Sequence, residues 1–324
     1  MAIPAGAARG AVTRAARAAR LAVLAIARGL GLFALARRAT RREARILCYH
    51  GFAYRDEHRF VPQLFMRPET FRRRLDRIAR HGFTWVTLEE LVDRLETGTP
   101  VDGLVVLTVD DGWTGFRRFA WPEIARRGIP CTLYLTTYYA EKERPVVNVL
   151  RRYLEWKGME LPDPLDDSAA EAARLTALAV DAGIDLTCAD GSLFRLSPPG
   201  DVAAMAAEGL DVQLHTHRHR LPVEPRAFAD EVERNRACIE RLTRRPARHL
   251  CYPSGEHDPA HDPLLAAHGV RSATTTTLGL VRPGADLLRL PRILDGEDLR
   301  PVELDAELSG FMTLLRRLLG RPAR

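Results

Sequence analysis

From residue 45 onward, apolar runs of strand length alternate with amphipathic helical patterns. RILCYHGF reads as a first strand, and residues 71–80 place Phe71, Leu75, Ile78 and Ala79 on one helix face. HGFTWVTL predicts a returning strand and LEELVDRL a second helix. A strand over 104–109, a helix over 121–127 stopped by Gly128-Ile129-Pro130, and a strand CTLYLTTYY rich in β-branched and aromatic residues come next. The strand LDVQL, the long helix RAFADEVERNRACIERLTRR, the strand HLCYPSG, the helix AHDPLLAAHG and the strand VRSATTTT complete the alternation. Strands linked by helices pair in parallel, so the chain is α/β, folded as a parallel sheet or a barrel.

Two of these strands end in residues that carry chemistry. Asp110-Asp111-Gly112 follows LVVLTV, and adjacent residues at a strand end project to opposite sides, so the two carboxylates can serve different tasks. His215-Thr216-His217-Arg218-His219 follows LDVQL, and His215 and His219 share a face if the chain turns helical after Leu214. One carboxylate with two neutral imidazoles holds a divalent cation and leaves coordination positions open, the pattern of a catalytic rather than a structural site. A second, unligated carboxylate beside it can accept a proton from water. Alone, Asp-Asp-Gly is also a common solvated turn, and HTHRH also an exposed helix start.

Together the motifs resemble a known family. Val109-Asp110-Asp111-Gly112 is similar to the first motif of the polysaccharide deacetylases (carbohydrate esterase family 4, the NodB-homology domain), and residues 215–219 to its second, His-Ser/Thr-any-any-His. The resemblance covers residues 45–295. It implies a distorted (β/α) barrel and a divalent metal, usually zinc. It also implies Asp110 as catalytic base and Asp111, His215 and His219 as metal ligands. The implied activity is removal of acetyl groups from N-acetylated sugars of a surface polysaccharide or its precursor. An O-acetyl esterase, a non-catalytic glycan-binding barrel and a membrane-surface adaptor remain as rivals.

Two departures from the family pattern bear on mechanism. Cys251-Tyr252-Pro253-Ser254-Gly255 resembles the third motif, where many members carry an arginine that holds the catalytic aspartate; Cys251 stands at that place. Arg289 or Arg292, in RLPRIL, is expected to supply the missing guanidinium, because arginine binds a carboxylate bidentately. The family's last motif ends in a histidine that acts as general acid, yet none follows His268. His50 in CYHG, His257 in SGEH or a water is expected to take that part, and His50 sits at a strand end, where barrel sites are built. Tyr252 and Trp113 are expected to stack on pyranose rings. The Pro-rich stretch 141–200, with Tyr138, Tyr139, Tyr153 and Trp156 near its start, reads as an insertion over one rim that shapes glycan selection.

Charge separates the ends from the body. The net charge is +6, but residues 1–42 hold nine arginines and no acid, leaving 39 basic against 42 acidic residues beyond them. The domain over 43–300 therefore has no basic surface for nucleic acid. Residues 8–38 mix Ala, Leu and Arg, and their apolar stretch is short and broken by Arg28, Gly29 and Gly31, which argues against a transmembrane helix. An Arg-rich helix lying on an anionic membrane is expected instead, on a cytoplasmic protein; a cleaved secretory signal and a helix packed on the barrel are the alternatives. Residues 301–324 are expected to form a C-terminal amphipathic helix. Five cysteines without CxxC spacing predict reduced, mostly buried thiols.

Overall fold

A computed structural model describes residues 10–320. Residues 1–9 and 321–324, the outer ends of the Arg-rich and C-terminal segments, lie outside the described residues.

Seven strands form the barrel: β1 (Arg45–Tyr49), β2 (Leu104–Asp111), β3 (Cys131–Leu135), β4 (Asp211–Leu214), β5 (His249–Cys251), β6 (Ser272–Leu278) and β7 (Leu290–Leu294). Each pairs in parallel with its neighbour in chain order, and β7 returns to β1, so the ring is closed. This is the distorted (β/α) barrel that the resemblance implies, built on seven strands. A short strand, Thr84–Trp85, lies beside the start of β2.

The period-two alternation of the strands divides the core in two. Ile46, Val106, Tyr134, Cys251 and Leu290 form a cluster that extends to Leu88, Leu91 and Val92 of the helix Leu88–Thr97. Their alternates Leu47, Leu107, Leu133 and Leu214 pack in the larger cluster with the surrounding helices. Counting forward by two from Val106 reaches Thr108 and then Asp110, while Cys48 follows Ile46 and Arg292 follows Leu290. A buried polar group therefore continues the smaller cluster toward the C-terminal ends of the strands.

Three readings of local structure are corrected. CTLYLTTYY is a strand only to Leu135; Thr137–Lys142 is helical. HGFTWVTL keeps two strand residues. The C-terminal helix is two helices, Pro301–Leu308 and Phe311–Leu318, parted at Gly310, whose φ of 79° ends the first.

Residues 141–200 hold the helices Val147–Trp156 and Ser168–Asp181 and a small hairpin, then return to the barrel. On the return, Ser197 N–H donates to Gly112 and Thr114 N–H to Arg195, while Trp113 bridges Leu196. The segment is thus stitched to the loop that follows β2. At the N-terminus, the helices Gly10–Gly29 and Leu32–Ala39 pack Leu24, Ala27, Phe33 and Ala36 inward, several of them against Ala306, Val302 and Phe311.

Candidate active site

Asp110 and Asp111 leave the end of β2 with different surroundings. Asp111 has φ of 69° and Gly112 φ of 98°, a left-handed turn that Asp tolerates and that aims the second carboxylate away from the first. Asp110 points among Cys48, Cys251 and Arg292, and every one of these side chains is buried.

Arg292 grips Asp110 in a fork: Nη1 donates to Oδ1 and Nη2 to Oδ2, both at 2.8 Å. The Nε of Arg292 donates to the Thr275 carbonyl, which fixes the plane of the guanidinium. Burial alone would raise the Asp110 carboxyl, but the charge of Arg292, with that of His50, outweighs it and holds Asp110 well below the usual carboxylate range. The thiols of Cys48 and Cys251 lie 3.5 and 3.4 Å from Oδ2, and Cys251 Sγ lies 3.2 Å from Arg292.

Asp111 Oδ1 lies 3.3 Å from His215 Nε2 and 3.4 Å from His219 Nε2. Ligand bonds of about 2.0–2.1 Å at tetrahedral angles put donor atoms about 3.3–3.4 Å apart, so the three fit one small cation. The protonation pattern agrees. His215 Nδ1 lies 2.8 Å from the Cys251 carbonyl, which can only accept, so Nδ1 carries a hydrogen and Nε2 faces a carboxylate oxygen; against burial, Cys251 and Asp111 hold the imidazole well above its usual range, so a proton takes that place when no cation does. Two lone pairs at that distance repel unless a cation or proton lies between them. Burial, helped by the charge of His215, pushes His219 down to about 4, so its imidazole is neutral at pH 7. The indole N–H of Trp113 donates to the other Asp111 oxygen at 2.8 Å.

The expected helix over 215–219 is absent. Thr216 and His219 have φ of 62° and 58°, and the histidines converge because the loop folds back on itself rather than through helical spacing. A left-handed β-branched residue is strained, and the surroundings hold it in place. Asn235, on the helix Pro225–Thr243, accepts from His215 N–H and donates to the Leu135 carbonyl and Thr137 Oγ1. Glu231, one turn earlier, accepts from Arg218 and Arg220, and its carbonyl takes the N–H of His217. Asn235 and Glu231 were missed in the sequence, although they interrupt the buried stripe Phe228, Val232 and Ile239.

Residues 97–273, more than half of the chain, match the sequence profile of the family described as Polysaccharide deacetylase. The chain belongs to the polysaccharide deacetylase family. Membership carries with it hydrolysis of acetyl groups as the broad activity. Solved structures similar to it include the Streptococcus pyogenes deacetylase PplD in complex with acetate, at a TM-score of 0.59 and 19% identity over 82% of this chain and 98% of that one. IcaB from Ammonifex degensii is similar at 0.58 and 21%, covering 83% and 97%. A de-N-acetylase from Aggregatibacter actinomycetemcomitans is similar at 0.58 and 14%, covering 82% and 99%. At these identities the likeness is one of fold. No curated protein matches the chain significantly by sequence.

Within this deacetylase barrel the remaining residues read from the sequence separate. His50 is at the site, its Nε2 3.6 Å from Asp110 Oδ2. Arg289 is not: it pairs with Asp262 and Asp286, leaving Arg292 alone on Asp110. Tyr252 is 1% exposed, its ring packed on His257 and His261, so no face is open for stacking on a sugar. Trp113 packs against Phe65 and spends its indole N–H on Asp111, so it holds a carboxylate rather than presenting a platform. His257 is exposed beside Tyr252. Among the described residues, a cavity of about 170 Å³ opens at Asp111 and His219, lined also by Trp113, Tyr139, Asn148 and Val149. Tyr153 is buried in the core and Trp156 faces outward, so of the four aromatic residues near the insertion's start only Tyr139 lines the cavity.

Proposed function

We propose that the chain is a metal-dependent deacetylase that hydrolyses the acetamido group of an N-acetylated sugar in a polysaccharide or its precursor. The observation that carries this reading is the convergence of Asp111 Oδ1 with the two histidine Nε2 atoms, beside a carboxylate that Arg292 keeps ionised. Asp111, His215 and His219 would hold the divalent cation, zinc by the chemistry of one carboxylate and two imidazoles. Bound there, such an ion supplies Lewis-acid polarisation of the acetyl carbonyl and acidification of water.

The protein's own groups manage the protons. Asp110, ionised and fixed by two hydrogen bonds, accepts the proton of the attacking water through a lone pair that Arg292 leaves free. His50, adjacent and partly open to solvent, delivers a proton to the departing amine. The family position for that acid is vacant in the sequence, so His50 is a change of supplier rather than of chemistry. Trp113 and the Cys251 carbonyl orient Asp111 and His215. The cavity beside them receives the acetylated sugar, with helix Val147–Trp156 of the 141–200 segment as its outer wall.

The test is metal analysis with acetate release from N-acetylglucosamine oligomers. The purified protein is expected to carry about one divalent ion and to release acetate, and Asp111→Ala to lose both. A metal-replete wild type that hydrolyses neither amide nor ester acetyl groups overturns the proposal. Hydrolysis of O-acetyl groups alone reassigns the substrate.

A further inference from the structure

The N-terminal helix pair arranges its charges opposite to what its composition suggests. Arg17 donates to the Asp298 carbonyl, Arg20 pairs with Glu303 at 3.2 Å and Arg28 with Asp305 at 3.3 Å, so these arginines of the helix Gly10–Gly29 meet the body. Left outward are Val23, Ile26 and Leu30, at 61, 62 and 70% exposure, spaced three to four residues apart on one stripe. Beyond the bend at Gly29–Gly31, Leu35 is likewise outward, at 63%. An arginine-faced helix resting on a surface is therefore corrected to an apolar-faced one.

Arginines without a carboxylate partner border this stripe. Arg38 stands one turn beyond Leu35, and Arg41 and Arg42 follow; all three are exposed and none has a carboxylate partner among the described residues. A groove of about 330 Å³ nearby is lined by Arg73, Arg80 and Arg300, none paired with a carboxylate among the described residues, while its two carboxylates, Asp76 and Glu297, are taken by Arg127 and Arg67. It adjoins the helix through Arg77, which lines the groove and shares Asp305 with Arg28.

We propose that this face docks the protein on an anionic phospholipid surface, with Val23, Ile26, Leu30 and Leu35 entering the headgroup region and the bordering arginines on lipid phosphates. The helices bend by 76° and pack their inner sides on the C-terminal helices; no single helix among the described residues is long and apolar enough to cross a membrane, although the bent pair together reaches the length and composition of a span. With its inner side held to the body, the pair lies on the bilayer rather than across it. A second copy of the chain is the rival occupant. Pairing the stripe with itself about a two-fold axis brings unpartnered arginines from both copies to one border, which lipid phosphates neutralise and a like surface does not.

The test is co-sedimentation of the full chain with vesicles of phosphatidylcholine alone and of phosphatidylcholine mixed with phosphatidylglycerol. The wild type is expected to pellet with the mixed vesicles and much less with the neutral ones. Ile26→Glu with Leu30→Glu is expected to weaken that binding at least tenfold with an unchanged circular dichroism spectrum and melting temperature, since both side chains already face solvent. Arg38→Gln, Arg41→Gln and Arg42→Gln together are expected to weaken binding to the mixed vesicles alone. Wild-type protein left in both supernatants overturns the proposal, as does undiminished pelleting of the glutamate variant. Light scattering that shows a dimer lost in the glutamate variant, without vesicle binding by the wild type, assigns the face to a second copy.

Discussion

Arg292 and Asp110 meet through two parallel hydrogen bonds of 2.8 Å, one strand from the end of the barrel sequence and the other near its start. Neither residue is exposed, so each charge depends on the other. Removing one partner leaves an uncompensated buried ion. Arg292→Met is expected to lose ~3–5 kcal/mol of stability, and Asp110→Asn with Arg292→Met to recover much of it while remaining inactive. Urea unfolding of the three proteins checks this; a cost under about 1 kcal/mol for Arg292→Met sinks it.

The same pair sets a pH dependence. The folded carboxyl of Asp110 is depressed, so its contribution is complete above the unfolded value near ~4 and is lost as pH falls toward the folded one. With metal chelated, the wild type's stability relative to the Asp110→Asn, Arg292→Met protein is expected to be level from about pH 5 to 8 and to fall below about pH 4. Denaturant midpoints over that range measure it, and a relative stability that rises on acidification contradicts the assignment.

Trp113 supports the proposed cation site at one remove. Trp113→Phe keeps the ring beside Phe65 and removes only the N–H that Asp111 accepts. Metal affinity is expected to drop roughly 10- to 100-fold with little change in melting temperature of the metal-free protein. Competition with a chromophoric chelator reads the affinity directly.

His50 is separated from Asp110 by the kind of leaving group. A sugar amine needs a proton to depart, whereas an aryl oxide does not. His50→Ala is therefore expected to slow amide hydrolysis about 10²- to 10⁴-fold and 4-nitrophenyl acetate hydrolysis far less. Equal losses on both substrates would remove His50 from the role of acid.

Asn148 tests the cavity wall. It is exposed on the helix Val147–Trp156 and lines the space beside His219, so Asn148→Trp fills the mouth without disturbing the core. The expected outcome is a kcat/KM on a chitin oligomer reduced by about tenfold or more, roughly the effect of one lost contact in a pocket, with aryl acetate turnover kept.

The parallel α/β pattern and a cluster of two carboxylates and two histidines were legible in strand ends and motif spacing; the closed barrel and the grouping of Asp111, rather than Asp110, with His215 and His219 came from the resemblance to the family. The path between the histidines was legible in neither. Helical spacing and a loop with two left-handed residues both bring His215 to His219, and periodicity alone cannot distinguish them. CTLYLTTYY misled for a related reason: the N–H of Tyr138 goes to the His217 carbonyl, so tertiary hydrogen bonding ends the strand that β-propensity would extend. Arg289 and Arg292 differ by three positions, and on a strand such residues face opposite ways. Arg289 belongs to the short helical turn before β7, and only the register, with Ile293 opposite Leu47, decides that Arg292 points to Asp110.

The fork between β2 and β7 also times assembly. Ribosomal synthesis delivers Asp110 long before Arg292, so a growing chain that packs β2 early must either leave that carboxylate wet or take it up as a neutral acid. The Asp110 anion is stored safely only once the final strand has docked. Completing the cylinder and pairing this anion are thus a single event, and a truncated product lacking the last strand is unfinished in both respects.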